Sequence, residues 1–266
     1  MAVKTVKFGT VEYLQAENIP VSHCFTTRIG GVSGGNTAGL NIGVGRGDPL
    51  ENVTANYNLL ANALGLDPHR LVLANQVHGG MIRSVTAKDA CGFDHRDYPE
   101  CDGLITNEAG VGLVVFTADC TPVLLFDPVT GAVGAVHAGW KGTAADICGN
   151  AVRAMVNTYG CKPENIRAAI GPNIGQCCFE TDADVPQAML RVYGDAANEY
   201  ISHKNHKYYV NLKGMNAYAL RRVGVENIAI SDHCTACMPQ RYWSHRKMGA
   251  SRGSQGAIIL CQEVQP

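Results

Sequence analysis

Three side chains of this 266-residue chain, His78, Cys120 and His137, are good ligands for a metal ion. A thiolate and two imidazoles with an open fourth position are typical of a catalytic zinc site. Cys120 and His137 could instead act without a metal, as the nucleophile and general base of a thiol hydrolase. They could also be ordinary core residues, since the chain has eleven cysteines and nine histidines. We call these three residues the ligand trio. The residue types alone leave all of these possibilities open.

Asp119, which precedes Cys120, could take part in the same chemistry. Its carboxylate could orient a metal ligand or move a proton, and we predict a catalytic role for it beside Cys120. The alternative is a structural role, in which the carboxylate caps a turn.

Basic residues in loops rich in glycine or serine are candidates for binding phosphate or another anion. The segment from Gly139 to Gly142 adds backbone N–H groups just before a predicted helix, whose dipole also favours an anion. The alternative is a tight strand-to-helix turn with solvated basic side chains. The basic candidates are Arg28, Lys141, Arg246 and Arg252.

A second group of cysteines offers a rival metal site. Cys234 and Cys237 form a C-x-x-C motif preceded by His233, which is half of a zinc ribbon. No second pair follows at a suitable spacing, so we predict an ordinary loop. The adjacent Cys177 and Cys178 are expected to serve packing rather than redox chemistry.

The histidine pattern disfavours two other metal chemistries. No histidines form the H-x-H pairs of a multicopper oxidase, and no methionine adjoins the trio as a blue-copper axial ligand would. A zinc base deaminase carries H-x-E, whereas Ala138-Gly139 follows His137. If the trio holds a metal, we predict Zn²⁺, with Cu²⁺ as the alternative.

Two short apolar strands must position Cys120 and His137. Val123–Phe126 and Ala132–Val136 are uncharged and rich in small or β-branched residues. The sequence D-P-V-T-G between them has the composition of a turn. We therefore predict a β-hairpin with its chemistry at the open end.

The length of the turn predicts the register of this hairpin. With a four-residue loop, Asp127 pairs with Ala132, and Pro122 then faces His137. Cys120 lies at the same end, within side-chain reach of His137. A slip of one residue would turn His137 to the other face of the sheet.

Two helices are predicted from their caps and periodicity. The first starts at Asp48 as N-cap and ends at Gly65. The second runs from Thr143 as N-cap to Tyr159. The first helix has four apolar residues on one face: Val53, Tyr57, Leu60 and Leu64.

Three further segments bear on the site. His78 stands beside two glycines after the predicted strand at 71–73, and Asp102-Gly103 is predicted as a turn. The segment at 26–47 contains eight glycines and lacks the ending of a phosphate loop. It is either a surface loop or a wall of the active site.

The composition excludes several classes of function. A formal net charge of −1 gives no global field for binding nucleic acid or an anionic membrane. No apolar run is long enough to span a bilayer, and no secretion signal is visible. An odd number of cysteines without such a signal favours reduced thiols in a cytoplasmic protein. We predict a single domain over residues 1–266 and leave the oligomeric state open.

The motifs together resemble the YfiH-like family, the laccase-domain or "polyphenol oxidase" proteins related to the human laccase-domain-containing protein. The resemblance covers nearly the whole chain, in order. The matching segments are F-T-T-R-I-G-G-V-S-G-G (25–35), L-N-I-G (40–43), N-Q-V-H-G (75–79), D-G-L-I-T (102–106), T-A-D-C-T-P-V-L-L-F-D (117–127), H-A-G-W-K-G-T (137–143), I-G-P-N-I-G-Q-C-C-F-E (170–180) and the S-H-R to S-Q-G-A run (244–257).

The resemblance implies an α/β fold of the α+β type, with layered mixed β-sheets flanked by helices. It also implies a metal held by His78, Cys120 and His137, and so selects this trio over the C-x-x-C motif. The implied activity is purine nucleoside phosphorylase, with a purine nucleoside and phosphate as partners and adenosine deaminase as a possible side activity. The alternatives are a copper-dependent polyphenol oxidase, a metal-free hydrolase using Cys120, and a metal-binding scaffold protein.

Overall fold

In the residues that the structure describes, fifteen β-strands form most of the frame. The structure is a computed structural model and describes residues 2–90, 93 and 99–263. In these residues the strands are β1 (Val3–Phe8), β2 (Val11–Ala16), β3 (His23–Thr26), β4 (Leu71–Leu73), β5 (Ile82–Ser84), β6 (Gly103–Thr106), β7 (Gly112–Thr117), β8 (Thr121–Phe126), β9 (Val133–Ala138), β10 (Arg167–Ile170), β11 (Glu180–Thr181), β12 (Ile201–Lys204), β13 (Lys207–Val210), β14 (Asn227–Ile230) and β15 (Gln255–Leu260).

Helices connect and cover these strands. The α-helices in the described ranges are α1 (Leu50–Leu64), α2 (Trp140–Ala144), α3 (Ile147–Tyr159), α4 (Asp184–Tyr193), α5 (Leu212–Arg222) and α6 (His245–Met248). Short 3₁₀ helices lie at Gly35–Thr37, Pro68–Arg70, Ala87–Asp89, Pro163–Asn165 and Gly194–Tyr200. Within the part of the chain that is described, no helix has both the length and the apolar character needed to cross a membrane.

The strands form two six-stranded mixed sheets. The first has the order β1-β2-β3-β15-β7-β4, and the second has the order β14-β10-β8-β9-β6-β5. Most neighbours are antiparallel, whereas β4–β7, β5–β6 and β10–β14 are parallel. A smaller sheet contains β11, β13 and β12.

The two large sheets pack face to face, and helices cover both outer faces. Phe25 and Val115 of the first sheet share one apolar cluster with Leu124 of the second. The outer face of the second sheet packs against α3, α4 and α5, and that of the first sheet packs against α1. This four-layer arrangement confirms the predicted α+β class with layered mixed sheets.

Strand β8 is apolar throughout because both of its faces are buried. Side chains alternate between the two faces of a strand. Val123 and Leu125 therefore join the cluster beneath the helices, while Leu124 and Phe126 join the cluster between the sheets. Both faces are buried, so the usual polar-apolar alternation is absent.

The hairpin of β8 and β9 has the predicted register. The backbone N–H of Asp127 donates to the carbonyl of Ala132 at 2.9 Å, and Pro122 pairs with His137. The strands extend further towards the open end than predicted, to Thr121 and Ala138.

Two predicted helix starts are wrong. Helix α1 begins at Leu50 without a side-chain cap, because Asp48 instead accepts hydrogen bonds from the side chains of Asn41 and Asn52. The predicted helix from Thr143 is two helices, since Asp146 has φ 54° between α2 and α3. Thr143 lies inside α2. The apolar face of α1 and its end at Gly65 are as predicted.

Candidate metal centre

The structure brings the predicted ligand trio together. Cys120 precedes β8, His137 lies near the end of β9, and His78 lies in the loop that follows β4. One ligand atom from each side chain lies within 4.8 Å of the other two. His137 is buried, Cys120 is half-buried and His78 is exposed. The cluster is therefore anchored on the sheet and open towards solvent.

Asp102 holds both histidines of the trio in place. Its carboxylate is fully buried directly before β6 and lies 2.8 Å from Nδ1 of His137. The same carboxylate accepts hydrogen bonds from the backbone N–H groups of Val77, His78 and Gly79. These bonds stabilise the positive φ of 63° at His78, which is unfavourable for a residue with a side chain.

The environment of Asp102 keeps its carboxylate ionised. Burial opposes ionisation, but hydrogen bonds from His137 and from the N–H groups of Gly79 and Val77 outweigh it and lower the pKa of Asp102. An ionised Asp102 accepts a hydrogen bond from Nδ1–H of His137, so Nε2 is the nitrogen that would bind a metal.

Charges within the trio stabilise the thiolate of Cys120, which is its ligand form, and the protonated imidazole of His137, which must lose a proton before it can bind a metal. Burial raises the pKa of the Cys120 thiol, but the imidazoles of His137 and His78 lower it to about 6 overall. Burial lowers the pKa of His137, but the Cys120 thiolate and Asp102 raise it to about 9. Without a metal, the two side chains therefore form a thiolate–imidazolium pair.

Space for an ion beside the trio depends on Gly139. A Cβ at this position would lie 3.1 Å from Cδ2 of His78 and 3.2 Å from Sγ of Cys120. Two imidazoles and one thiolate, with such room beside them, fit a tetrahedral zinc ion with one open position. The trio would hold the ion, and Asp102 would orient its ligands.

The trio lies in the wall of a cavity of 440 Å³. This volume is within the range of small-molecule binding sites. Three aromatic rings, Phe116, Trp140 and Phe179, contribute to the lining, and the glycine-rich segment contributes Gly43 and Val44. That segment is therefore a wall of the site rather than only a surface loop.

Basic side chains line the same cavity. They are Arg46, His245, Arg246 and Arg252. The Nε atom of Arg252 is buried without a hydrogen-bond partner, although its Nη1 donates to the carbonyl of Gly253. An unsatisfied buried guanidinium nitrogen is costly unless a ligand accepts from it. This wall can therefore bind an anion.

The predicted anion-binding residues fall in different places. Arg246 lines the cavity, and Gly139 lies behind the trio. Arg28 is outside the lining; it stacks on Trp243 at 4.1 Å and donates to backbone carbonyls. Lys141 is exposed and is also outside the lining, 5.7 Å from the ring of Trp140. Their roles in anion binding stay predictions.

Asp119 lines the cavity with its carboxylate already engaged. Oδ1 accepts from the hydroxyl of Thr235 at 2.6 Å, and Oδ2 accepts from the backbone N–H of Arg246 at 2.7 Å. The residue has φ 88°. These contacts favour the structural alternative, in which Asp119 joins the loop before β8 to the start of α6.

Sequence reasoning missed three residues of the site. Asp102 was interpreted only as part of a turn, although an acidic residue directly before a short apolar strand is a possible partner for a histidine ligand. Arg46 belongs to the glycine-rich segment, and His245 belongs to a basic run. Nothing in the local pattern distinguishes either of them from a solvated side chain.

A family model described as "multi-copper polyphenol oxidoreductase laccase" matches residues 22–262 of the chain. A protein of Deinococcus radiodurans named "Purine nucleoside phosphorylase" is 39% identical over 246 residues, covering 92% of this chain and 91% of the relative. "Purine nucleoside phosphorylase YlmD" of Geobacillus stearothermophilus is 36% identical over 241 residues, covering 88% and 86%. The crystal structure of YlmD from the same organism matches with a TM-score of 0.90 at 34% identity, over 97% of this chain and 99% of that one.

Proposed function

This chain belongs to the multi-copper polyphenol oxidoreductase laccase family, and on that premise we propose that it is a zinc-dependent purine nucleoside phosphorylase. The relatives described above carry the name of that activity. The proposed substrates are a purine nucleoside, such as adenosine, inosine, guanosine or methylthioadenosine, and inorganic phosphate. The products are the free base and ribose-1-phosphate.

One observation carries the proposal: the ligand trio lines the same cavity as Arg46 and Arg252, and Arg252 has a buried Nε without a hydrogen-bond partner. Phosphorolysis must hold a phosphate and a nucleoside next to each other in a defined geometry. Arg252 and Arg46 supply the positive charge for the phosphate, and Arg246 lies on the same wall. An arginine is suited to this task because its donors match two phosphate oxygens at once.

The residues of the cavity can also position the nucleoside. Phe116, Trp140 and Phe179 offer aromatic surface against which a purine can stack. The phosphate oxygen attacks the anomeric carbon as the bond to the purine nitrogen breaks, and positive charge develops on the ribose. The purine leaves with the bonding electrons, and His245 is our candidate to donate a proton to it. Asp119 positions the N-terminus of α6, which contains His245 and Arg246.

Zinc, when bound to the trio, would supply a Lewis acid that orients substrate or activates a water. The proposed adenosine deaminase side activity requires an activated water. Copper-dependent polyphenol oxidation is a weaker alternative, because the lining residues in the described part of the chain include no methionine as a soft axial ligand.

A second candidate function is a metal-free cysteine hydrolase. The observation that favours it is the relay from Cys120 to His137 to Asp102, with the last contact at 2.8 Å. Cys120 would be the nucleophile, His137 the base and Asp102 the carboxylate that orients the base, which is the spatial arrangement that thiol hydrolases use. This enzyme would be inactivated by iodoacetamide and unaffected by a chelator.

The test is turnover of inosine and adenosine by the purified protein, with and without phosphate. Free base, ribose-1-phosphate and deaminated product are measured for the wild type and for Cys120→Ala. We expect phosphate-dependent base release that Cys120→Ala abolishes and that a chelator suppresses until Zn²⁺ is restored. Base release without phosphate, or activity unchanged by the chelator, would contradict the proposal.

A further inference from the structure

Four cysteines that are far apart in the sequence meet at one point of the fold. Cys177 and Cys178 precede β11, and Cys234 and Cys237 follow β14. Their four Sγ atoms all lie within 4.8 Å of one another. We call these residues the tetracysteine cluster. It shares no residue with the ligand trio, and none of its members lines the cavity.

The spacing of the sulfur atoms matches a metal site. Sγ of Cys237 lies 3.6 Å from that of Cys177 and 3.4 Å from that of Cys178, and Cys177 and Cys178 are 3.8 Å apart. Zinc–sulfur bonds of about 2.3 Å at tetrahedral angles place the sulfurs about 3.8 Å from each other. A disulfide requires sulfurs about 2.05 Å apart and could join only two of the four at a time.

The surroundings of Cys234 are suited to a thiolate. The backbone N–H of Gly175 donates to its Sγ at 3.1 Å, and the N–H of Cys237 also donates to it. A Cβ at Gly175 would lie 3.2 Å from Sγ of Cys177 and 3.3 Å from Sγ of Cys234. Hydrogen bonds from the backbone to ligand sulfurs are a common feature around bound metals.

A half-buried cation lies beside the cluster. The ammonium of Lys213 donates to the carbonyls of Ser231 and His233, in the segment that leads from β14 to Cys234. It interacts electrostatically with Cys234 and Cys177. A zinc ion with four thiolates carries a net charge of −2, and this lysine offsets part of that charge.

We propose that the tetracysteine cluster binds a second zinc ion, independent of the ion at the ligand trio. Each of the four thiols loses its proton to solvent, and four Zn–S bonds form without any change of oxidation state. Four protein ligands leave no open position, so the role of this ion is structural.

The ion would stabilise one wall of the cavity. The loop with Cys177 and Cys178 also contains Ile174 and Phe179, and both line the cavity. Thr235, between the other two cysteines, donates to Asp119. Joining the two loops through a metal therefore holds the cavity wall and the loop before Cys120 in one arrangement.

The test measures zinc by mass spectrometry in protein purified under reducing conditions. We expect about two zinc ions per chain in the wild type and about one in the double variant Cys177→Ser/Cys237→Ser. Both substituted side chains are exposed, so the fold should tolerate the change. Cys161→Ser is the matched control and should retain both ions, since Cys161 contacts Thr130 and lies outside both clusters.

X-ray absorption of the zinc that remains in Cys120→Ala identifies its ligands. We expect a shell of only sulfur at about 2.3 Å, because the ligand trio has lost its thiolate and the tetracysteine cluster is intact. A zinc content that is the same in Cys177→Ser/Cys237→Ser as in the reduced wild type would overturn the proposal. A nitrogen or oxygen shell in Cys120→Ala, or an intact mass showing a disulfide within the cluster of the reduced protein, would also overturn it.

Discussion

Nδ1 of His137 lies 2.8 Å from Oδ1 of Asp102, and this contact connects three separate parts of the chain. The carboxylate directly precedes β6, the imidazole belongs to β9, and the other hydrogen bonds of Asp102 hold the loop that contains His78. One buried side chain therefore sets the orientation of two of the three proposed metal ligands.

Replacing this carboxylate should weaken metal binding. Asp102→Asn removes the charge that favours a proton on Nδ1 of His137 and weakens the hydrogen bonds at 77–79. Substitution of such a partner reduces metal affinity by about 10- to 100-fold. Competition with a chromophoric chelator measures the change. The matched control is Asp127→Asn at the far end of the same hairpin, which should leave the affinity unchanged. Equal affinities for the Asp102 variant and the wild type would contradict the assigned role.

Adding one methyl group at Gly139 should disturb the same site. The backbone of Gly139 has φ −67° and ψ 172°, which any residue can adopt, so the effect of Gly139→Ala is purely steric. The new Cβ would crowd His78 and Cys120 at 3.1 and 3.2 Å. Overpacking costs about 1–3 kcal/mol, which corresponds to a loss of zinc affinity of roughly tenfold to hundredfold.

Gly34→Ala is the control for this substitution. Gly34 has φ −121°, and a Cβ there has no atom within 4 Å. Zinc titration followed by calorimetry compares the two variants. Similar affinities would mean that the ligand trio can move away from Gly139 without cost.

The basic wall of the cavity should determine the affinity for phosphate. Arg252→Gln removes a charge-assisted interaction, and such interactions contribute about 1.5–3 kcal/mol. We therefore expect the KM for phosphate to rise by roughly 10- to 100-fold in steady-state assays with inosine. Lys141→Gln is the matched control, since Lys141 lies outside the cavity lining, and it should change this KM by less than about twofold. An increase in KM with Lys141→Gln and not with Arg252→Gln would restore the anion site predicted from the sequence.

A buried histidine away from the site should make stability depend on pH. Nε2 of His23 accepts from the N–H of Ala16 at 2.8 Å, and Nδ1 donates to the carbonyl of Val21 at 2.7 Å. Burial lowers the pKa of His23, and the bond to Val21 only partly offsets this. The unfolded chain therefore binds the proton more readily, and stability falls as the pH drops below about 6.5.

Denaturant unfolding of the wild type and of His23→Gln between pH 8 and 4 measures this dependence. The difference in free energy of unfolding between them should be constant above about pH 7 and should decrease at lower pH. Parallel curves over the whole range would show that His23 does not contribute.

The β8–β9 hairpin could be predicted in detail from its own residues. Its turn composition and the length of its loop determine the register, so the proximity of Cys120 and His137 followed without any other part of the chain. The apolar face of α1 could also be predicted from residues that are close together in the sequence. The start of that helix could not be predicted in this way, because Asp48 interacts with Asn41 rather than with the backbone of α1.

Side chains from distant segments were beyond sequence reasoning. The C-x-x-C motif lacked a partner pair at a usual spacing, yet Cys178 and Cys237 meet across 59 positions of the chain. Arg252 was a candidate for binding an anion and Arg46 was not, and only the fold places both at the cavity. Local composition has no information on such contacts.

The sequence by itself determined the residue types of the ligand trio and the hairpin that brings two of them together. Local hydrogen bonding and side-chain periodicity are enough for these features, because they depend on neighbours in the chain. The layered α+β class and the place of His78 in the trio were predicted from the resemblance of the motifs to a known family. Only the tertiary structure decided that Asp102 orients the trio and that four cysteines form a second cluster. These contacts arise where the packing of two sheets brings separate loops together, and that packing depends on the shape of the whole core.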